Sequence, residues 1–171
     1  MKHFHTIRYE NIKLRPLEQN DIESLRIWTN APENTKYLSK IPFITNEMQE
    51  EWFRRYLNSD NEICLAIDEE KDLHRFVGNL SLHDFEEDSY FLGHVLIGDK
   101  KAHGKEIVVN ASIAATKIAF EQLDMNIVKL YVFPENIAAY KVYKKAGFQV
   151  VDIHKNAAGR EEYTMTLCKE G

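Results

Sequence analysis

Ile127-Val128-Lys129-Leu130-Tyr131-Val132-Phe133-Pro134 is followed, after Glu135, by Asn136-Ile137-Ala138-Ala139-Tyr140-Lys141-Val142-Tyr143-Lys144-Lys145-Ala146-Gly147-Phe148. The first run is β-branched and aromatic and stops at a proline, which predicts a strand over 127–133. The second predicts a short helix from about Asn136 to Lys145, ended by a left-handed cap at Gly147. Asn136 and Tyr143 lie seven residues apart, so they stack on one helix face with Ala139 between them. A small residue there lets a slender ligand run close to the helix, while an amide and a phenol offer polar contacts at fixed positions. The plainer alternative makes Tyr143 a core aromatic and Asn136 only the helix N-cap.

Working outward, Phe148 to Ile153 and Tyr163 to Leu167 read as two strands paired around the turn Asn156-Ala157-Ala158-Gly159. Upstream, Ile107, Ala111, Ala114, Ala115, Ile118 and Leu123 recur at helical spacing over about four turns. A polar loop, Gly98 to Gly104, precedes that helix. Ile63 to Ile67, Phe76 to Leu82 and Tyr90 to Ile97 are strand-like runs separated by short acidic turns, an antiparallel meander. The N-terminal part opens with a strand over Asn11 to Arg15, ended by Pro16. A helix capped at Asn20-Asp21 then carries Ile22, Leu25 and Trp28, and a second, capped at Thr45 or Asn46, carries Met48, Trp52, Phe53 and Leu57. Seven strands and four helices in this order predict an α/β fold with a sheet of mixed direction.

Length and composition fit one domain over 1–171: 171 residues, 44% of them hydrophobic, build a core without staples. The two cysteines, Cys64 and Cys168, resemble neither a disulfide framework nor a metal site and fit a reducing compartment. No signal-peptide core and no run of roughly 18 apolar residues is present, so a soluble, cytoplasmic protein without a membrane partner is expected. A formal charge of −5, from 22 basic against 27 acidic residues, argues against a nucleic-acid partner. Lys100, Lys101 and Lys105 are the one local basic cluster. His3 and His5 alternate along an extended segment, but two histidines without further ligands do not make a metal site, and no metal is expected.

With its strand, N-x-x-A-x-x-x-Y and K-x-G-F, residues 127–148 resemble the GNAT superfamily of acetyl-CoA-dependent N-acetyltransferases, and the order of elements extends the resemblance over roughly 11–168. The resemblance implies a GNAT-like, mostly antiparallel sheet flanked by helices, with acetyl-CoA as acyl-donor substrate. Asn136 and Ala139 would then hold the cofactor arm, and Tyr143 would protonate the departing thiolate. Val95, Leu96 and Ile97 would offer strand backbone to the pantetheine. The family's pyrophosphate loop, Q/R-x-x-G-x-G/A, falls within His103, Gly104, Lys105, Glu106, Ile107 and Val108 when counted back from the long helix, or starts at Lys101 when counted forward from Gly93. Both registers put Glu106 where a glycine is usual. A carboxylate there favours the helix N-terminus but opposes a bound pyrophosphate, which Lys100, Lys101 and Lys105 could offset.

Many members of the superfamily carry a glutamate as general base where this chain has Phe91. His83, His94 and the acidic turn Asp84-Phe85-Glu86-Glu87-Asp88 are the substitutes, unless water takes the proton. The acceptor region would be lined by Trp28, Thr29, Asn30, Glu33, Tyr37 and Trp52, with Trp28, Asn30, His83 and His94 as contacts. Trp28-Thr29-Asn30 resembles a W-x-N found in branches acting on amino-sugar nucleotides, ribosomal-protein N-termini or polyamines. The expected partner is therefore a primary amine on a small molecule or peptide, with the strand from Tyr163 to Leu167 as an edge on which a homodimer could form. Two functions stand: an N-acetyltransferase acting in a ternary complex, or a binding module that senses CoA or another ligand without transfer.

Overall fold

The computed structural model describes residues 2–36 and 41–170. Its eight strands form one sheet in the order β1-β2-β3-β4-β5-β6-β8-β7. The strands are β1 (Ile7–Tyr9), β2 (Ile12–Pro16), β3 (Glu62–Glu69), β4 (Arg75–His83), β5 (Ser89–Ile97), β6 (Ile127–Val132), β7 (Gln149–Lys155) and β8 (Glu161–Cys168). All neighbours are antiparallel except β5 and β6, whose connection contains a long helix, as a parallel pair requires. The helices are α1 (Ile22–Asn30), α2 (Asn46–Leu57), α3 (Ile107–Lys117) and α4 (Ile137–Lys145).

Two helical layers sandwich the sheet, and the sequence of β3 records it. Cys64, Leu65, Ala66 and Ile67 are buried without alternation because the strand is covered on both sides. Leu65 and Ile67 join the larger core beneath α3 and α4, while Cys64 and Ala66 meet Leu25, Phe53 and Tyr56 from α1 and α2. Ala111, Ala114 and Ala115 are completely buried on α3, and their small side chains let the helix lie close to the sheet. Phe148, 1% exposed, anchors the strand after α4. Truncating a buried phenylalanine costs about 3–5 kcal/mol.

The structure corrects four expectations. An eighth strand, β1, forms a hairpin with β2, turned by Glu10 at φ 51°. On α2 the buried positions are Gln49, Phe53 and Tyr56, whereas Met48 and Leu57 face outward. The long helix stops being α-helical at Lys117 and finishes in a π-turn over Ile118–Gln122. Finally, β8 is not an edge: it lies between β6 and β7, pairing with both, so the outer strand is β7. The two strands do form the expected hairpin, but its second arm inserts against β6 and leaves Val151 and Ile153 of the first arm exposed.

Candidate active site

The site begins where the sheet comes apart. β5 pairs with β6 only through Ser89, Tyr90 and Phe91, after which β5 continues along β4 and β6 along β8. Beyond Phe91 the β6-facing side of β5 has no strand partner, and a ligand can use its backbone groups. β5 also carries a bulge, with one residue more than β4 between the pairs Ser81↔Gly93 and Asn79↔Leu96. The extra turn of chain is taken by His94, held at φ 50°.

Two adjoining cavities fill this gap. The larger, about 720 Å³, runs from Val95, Leu96 and Ile97 past the loop before α3 to Lys141, Val142 and Lys145 on α4. The smaller, about 180 Å³, lies in the split between the strands and reaches His94, Tyr131, Ala139, Tyr143 and Glu162. They meet at Val95 and Asn136, forming one path from the loop to Tyr143. Of the residues expected to hold the cofactor, Val95, Leu96, Ile97, His103, Gly104, Glu106, Ile107, Val108 and Asn136 line the larger cavity. Ala139 and Tyr143 line the smaller one. Lys105 lies outside both, its Nζ bound to Asp72 at 2.8 Å.

Gly104 (φ 82°) and Glu106 (φ 58°) both adopt the left-handed conformation, so the backbone bend a glycine would make at 106 is made by glutamate. A bend of this kind, leading into a helix N-terminus, turns backbone N–H groups toward the cavity as an anion cradle. Asn11 braces it, its Nδ2 donating to the Lys105 carbonyl at 3.0 Å while Asn110 Nδ2 donates to Asn11 Oδ1 at 2.8 Å. The Glu106 carboxylate turns to Lys145 Nζ on α4. Lys100 meets Glu33 at 3.3 Å, so among the described residues the lysines nearest the loop already have carboxylate partners, Lys101 excepted.

At the start of α4, Asn136 Oδ1 caps the helix by accepting from Ala139 N–H at 3.2 Å, and the residue lines both cavities where they meet. The N-cap reading of this residue is met. Tyr143 packs edge-on against Phe148 and is held deep in the core, where burial pushes its hydroxyl up to about 12. It stays protonated throughout the physiological range, and its hydroxyl makes no hydrogen bond among the described residues. The residue lines the smaller cavity.

The expected acceptor contacts separate. Trp28 packs against Gly98, where a Cβ would come within 1.9 Å of the indole, and against Phe76, with ring centroids 5.3 Å apart. Asn30 is a clamp: its Oδ1 accepts from Ile44 N–H at 2.8 Å and its Nδ2 donates to Ile44 O at 2.9 Å. Neither lines either of these two cavities. Glu33 lines the larger cavity, and Tyr37 lies outside the described residues. His83 and His94 do come together, stacked at 4.9 Å, but only His94 reaches the smaller cavity. His3 and His5 are engaged by the Cys64 carbonyl and by Gln122.

The sequence did not single out Lys141 and Val142, and it marked Lys145 only as the lysine of K-x-G-F and not as a cavity residue. It also missed Glu62 and Glu162, which strand pairing alone brings near His94 and the split.

The family model of the acetyltransferase (GNAT) domain matches residues 11–149. No curated protein matches the chain. Among solved structures it is similar to a GNAT-family acetyltransferase from Bacillus anthracis, with a TM-score of 0.80 at 19% identity over 96% of this chain and 98% of that one. It is also similar to spermidine N-acetyltransferase from Vibrio cholerae in complex with CoA and spermine, with a TM-score of 0.81 at 18% identity over 92% and 95%. A third is FdhC, a nucleotide-linked sugar GNAT in its apo form, with a TM-score of 0.80 at 21% identity over 97% and 91%. At such identities the likeness speaks for the fold.

Proposed function

Because the chain belongs to the acetyltransferase (GNAT) family, and so is an acyltransferase whose acyl donor is acetyl-CoA, we propose that it acetylates a primary amine by direct attack in a ternary complex. The observation that carries this reading is the continuous path from the left-handed loop at Gly104 and Glu106, along the unpaired side of β5, to the Tyr143 hydroxyl. That path suits a long, thin donor with a diphosphate at one end and a thioester at the other.

The pantetheine arm would lie along Val95 to Ile97, and the thioester carbonyl beside the strand's backbone N–H groups, which would stabilise its developing charge. Attack by the amine forms a C–N bond and breaks C–S, and Tyr143 offers its hydroxyl proton to the sulfur. Glu62, Asp84, Glu86 and Glu162 surround the approach to the split from β3, the β4–β5 turn and β8, which favours a cationic acceptor, whether a small amine or a peptide N-terminus. The free cysteines and the absence of any membrane-length apolar helix among the described residues suit a cytoplasmic setting, and β7, one of the sheet's two outer strands, is open to pairing with a second copy.

Titrating acetyl-CoA into the protein and then following thiol release over a panel of polyamines, amino-sugar nucleotides and peptide N-termini tests this. Micromolar binding with turnover of one class is expected. Glu106 at the loop supports one other reading, a module that binds without transferring; tight CoA binding with no acceptor in the panel would favour it.

A further inference from the structure

Acyl transfer to an amine that is protonated at neutral pH needs a group to take its proton, and Phe91 occupies the place of the family's usual carboxylate. The bulge in β5 supplies an alternative. His94 is held left-handed there, a conformation unfavourable for a non-glycine residue and retained where surrounding contacts fix it. Its Nδ1 lies 3.0 Å from Glu62 Oε1 and 2.9 Å from Ser81 Oγ. An ionised carboxylate can only accept, so the ring proton sits on Nδ1, and Nε2 carries the lone pair. No described residue occupies that second nitrogen, and the residue lines the same small cavity as Tyr143.

We propose that His94, oriented by Glu62, is the proton acceptor for the incoming amine; this deepens the transferase reading and rests on it. Nε2 takes one proton from the ammonium, the freed nitrogen attacks the thioester carbon, and the C–S bond breaks as the C–N bond forms. The second nitrogen proton replaces the one that Tyr143 gives to sulfur, so the products are the acetylated amine, the thiol and one proton carried on His94 to solvent. Glu62 is a positioning residue.

The surroundings fit that work. The hydrogen bond from His94 holds the Glu62 carboxyl below the usual range, against the opposing effect of burial, with Ser81 and His83 adding to it. The hydrogen bond to Glu62 in turn raises His94 above the ordinary imidazole value, again against burial, and Asp84 helps. The other groups facing His94 are His83 of β4, stacked on its ring, and, around the same cavity, Tyr131 of β6, Glu162 of β8 and Tyr143 of α4. The Asp84 carboxylate, 2.8 Å from His83 Nδ1, sits beside that stacked ring.

The test is the pH profile of kcat/KM for an amine the protein acetylates, measured for the parent, His94→Ala and Glu62→Gln, with acetyl-CoA affinity by calorimetry as a control on folding. The parent should show an inflection above the ordinary imidazole pKa of about 6.5, with activity on its alkaline side. Glu62→Gln should keep the inflection but move it down. His94→Ala should abolish it, lower kcat/KM by about 10²–10⁴-fold and be partly rescued by added imidazole, while still binding acetyl-CoA. An unchanged profile in His94→Ala with turnover intact overturns the assignment of His94 alone. A parent that binds acetyl-CoA and acetylates no amine overturns the transferase reading and this inference with it.

Discussion

Replacing Glu106 by glycine removes two things at once: a side chain at φ 58° and a negative charge beside the proposed phosphate cradle. For stability, relief of the left-handed backbone is worth roughly 1–2 kcal/mol. Against that stand about 0.5–1 kcal/mol of extra chain entropy in the unfolded state and the lost pair with Lys145, which is solvent-exposed and contributes no more than about 1 kcal/mol. The terms nearly cancel, so Tm should stay within about 4 °C of the parent. For binding they reinforce one another. Unit charges a Debye length apart, about 8 Å at physiological salt, interact by roughly 0.5 kcal/mol in water before screening. Removing the repulsion on a doubly charged diphosphate and releasing Lys145 to face it should together tighten binding by about 1 kcal/mol, roughly fivefold. Calorimetry with CoA should show that gain at low salt and lose most of it at 0.5 M salt, by about the screening a shorter Debye length gives. Glu106→Gln separates the contributions, because it removes the charge and keeps the strained backbone; its affinity should rise nearly as far while its stability should fall slightly. Weaker CoA binding by Glu106→Gly would refute the reasoning, since it would mean that the Glu106–Lys145 pair builds the cradle instead of competing with its ligand.

Three further outcomes follow from the same geometry. Tyr143→Phe keeps the packing against Phe148 and loses only the donor, so turnover should drop by about 10²-fold or more with acetyl-CoA affinity within a factor of about three, as steady-state kinetics and calorimetry would read. Gly98→Ala drives a methyl group into the Trp28 indole and should cost about 1–3 kcal/mol in urea unfolding, with a shift in tryptophan emission as the ring is displaced. Stability should fall above pH 9: burial raises Cys64, Tyr56 and Tyr143, the last to about 12, so their contribution is whole below the unfolded values of 9.0 for the thiol and 10.0 for the phenols and is lost as pH rises through the folded ones. Chemical denaturation at pH 7.5 and 10.5 would check it.

The two halves of the site differ in how far the chain displays them. The donor half is written locally. Asn136, Ala139 and Tyr143 share one helix face because of their spacing, and His103 to Val108 is a single loop leading into one helix, so both were readable along the chain. Even the misfit at Glu106 was visible as a residue type, although its left-handed backbone was not. The acceptor half is assembled by pairing. Glu62, Ser81, His94, Tyr131 and Glu162 come from five strands, and no spacing relates them until the sheet order is known. Trp28 and Asn30 are the converse case: their types suggested ligand contacts, yet an indole over a glycine and an amide bridging both polar groups of Ile44 are uses that only the folded neighbours reveal. The hairpin of β7 and β8 was legible because a turn joins its arms. Which arm meets β6 was not, since both arms alternate similarly, and burying Met165 of β8 against β6 settles it.

That division has a chemical counterpart. The proposed donor contacts are held by one loop and one helix, whereas the proposed recognition and deprotonation of the acceptor draw on residues from separate strands. Position 91 carries no carboxylate, and on the proposed reading a histidine in a bulge of the same strand serves instead, with a carboxylate two strands away. Glu62 and His94 should therefore behave as one unit in a double-mutant cycle, with the second substitution costing much less than the first. Phe91 and His94 should not, because the ring at 91 stacks on His83, lies tilted against Tyr131 and makes no hydrogen bond in the proposed proton path.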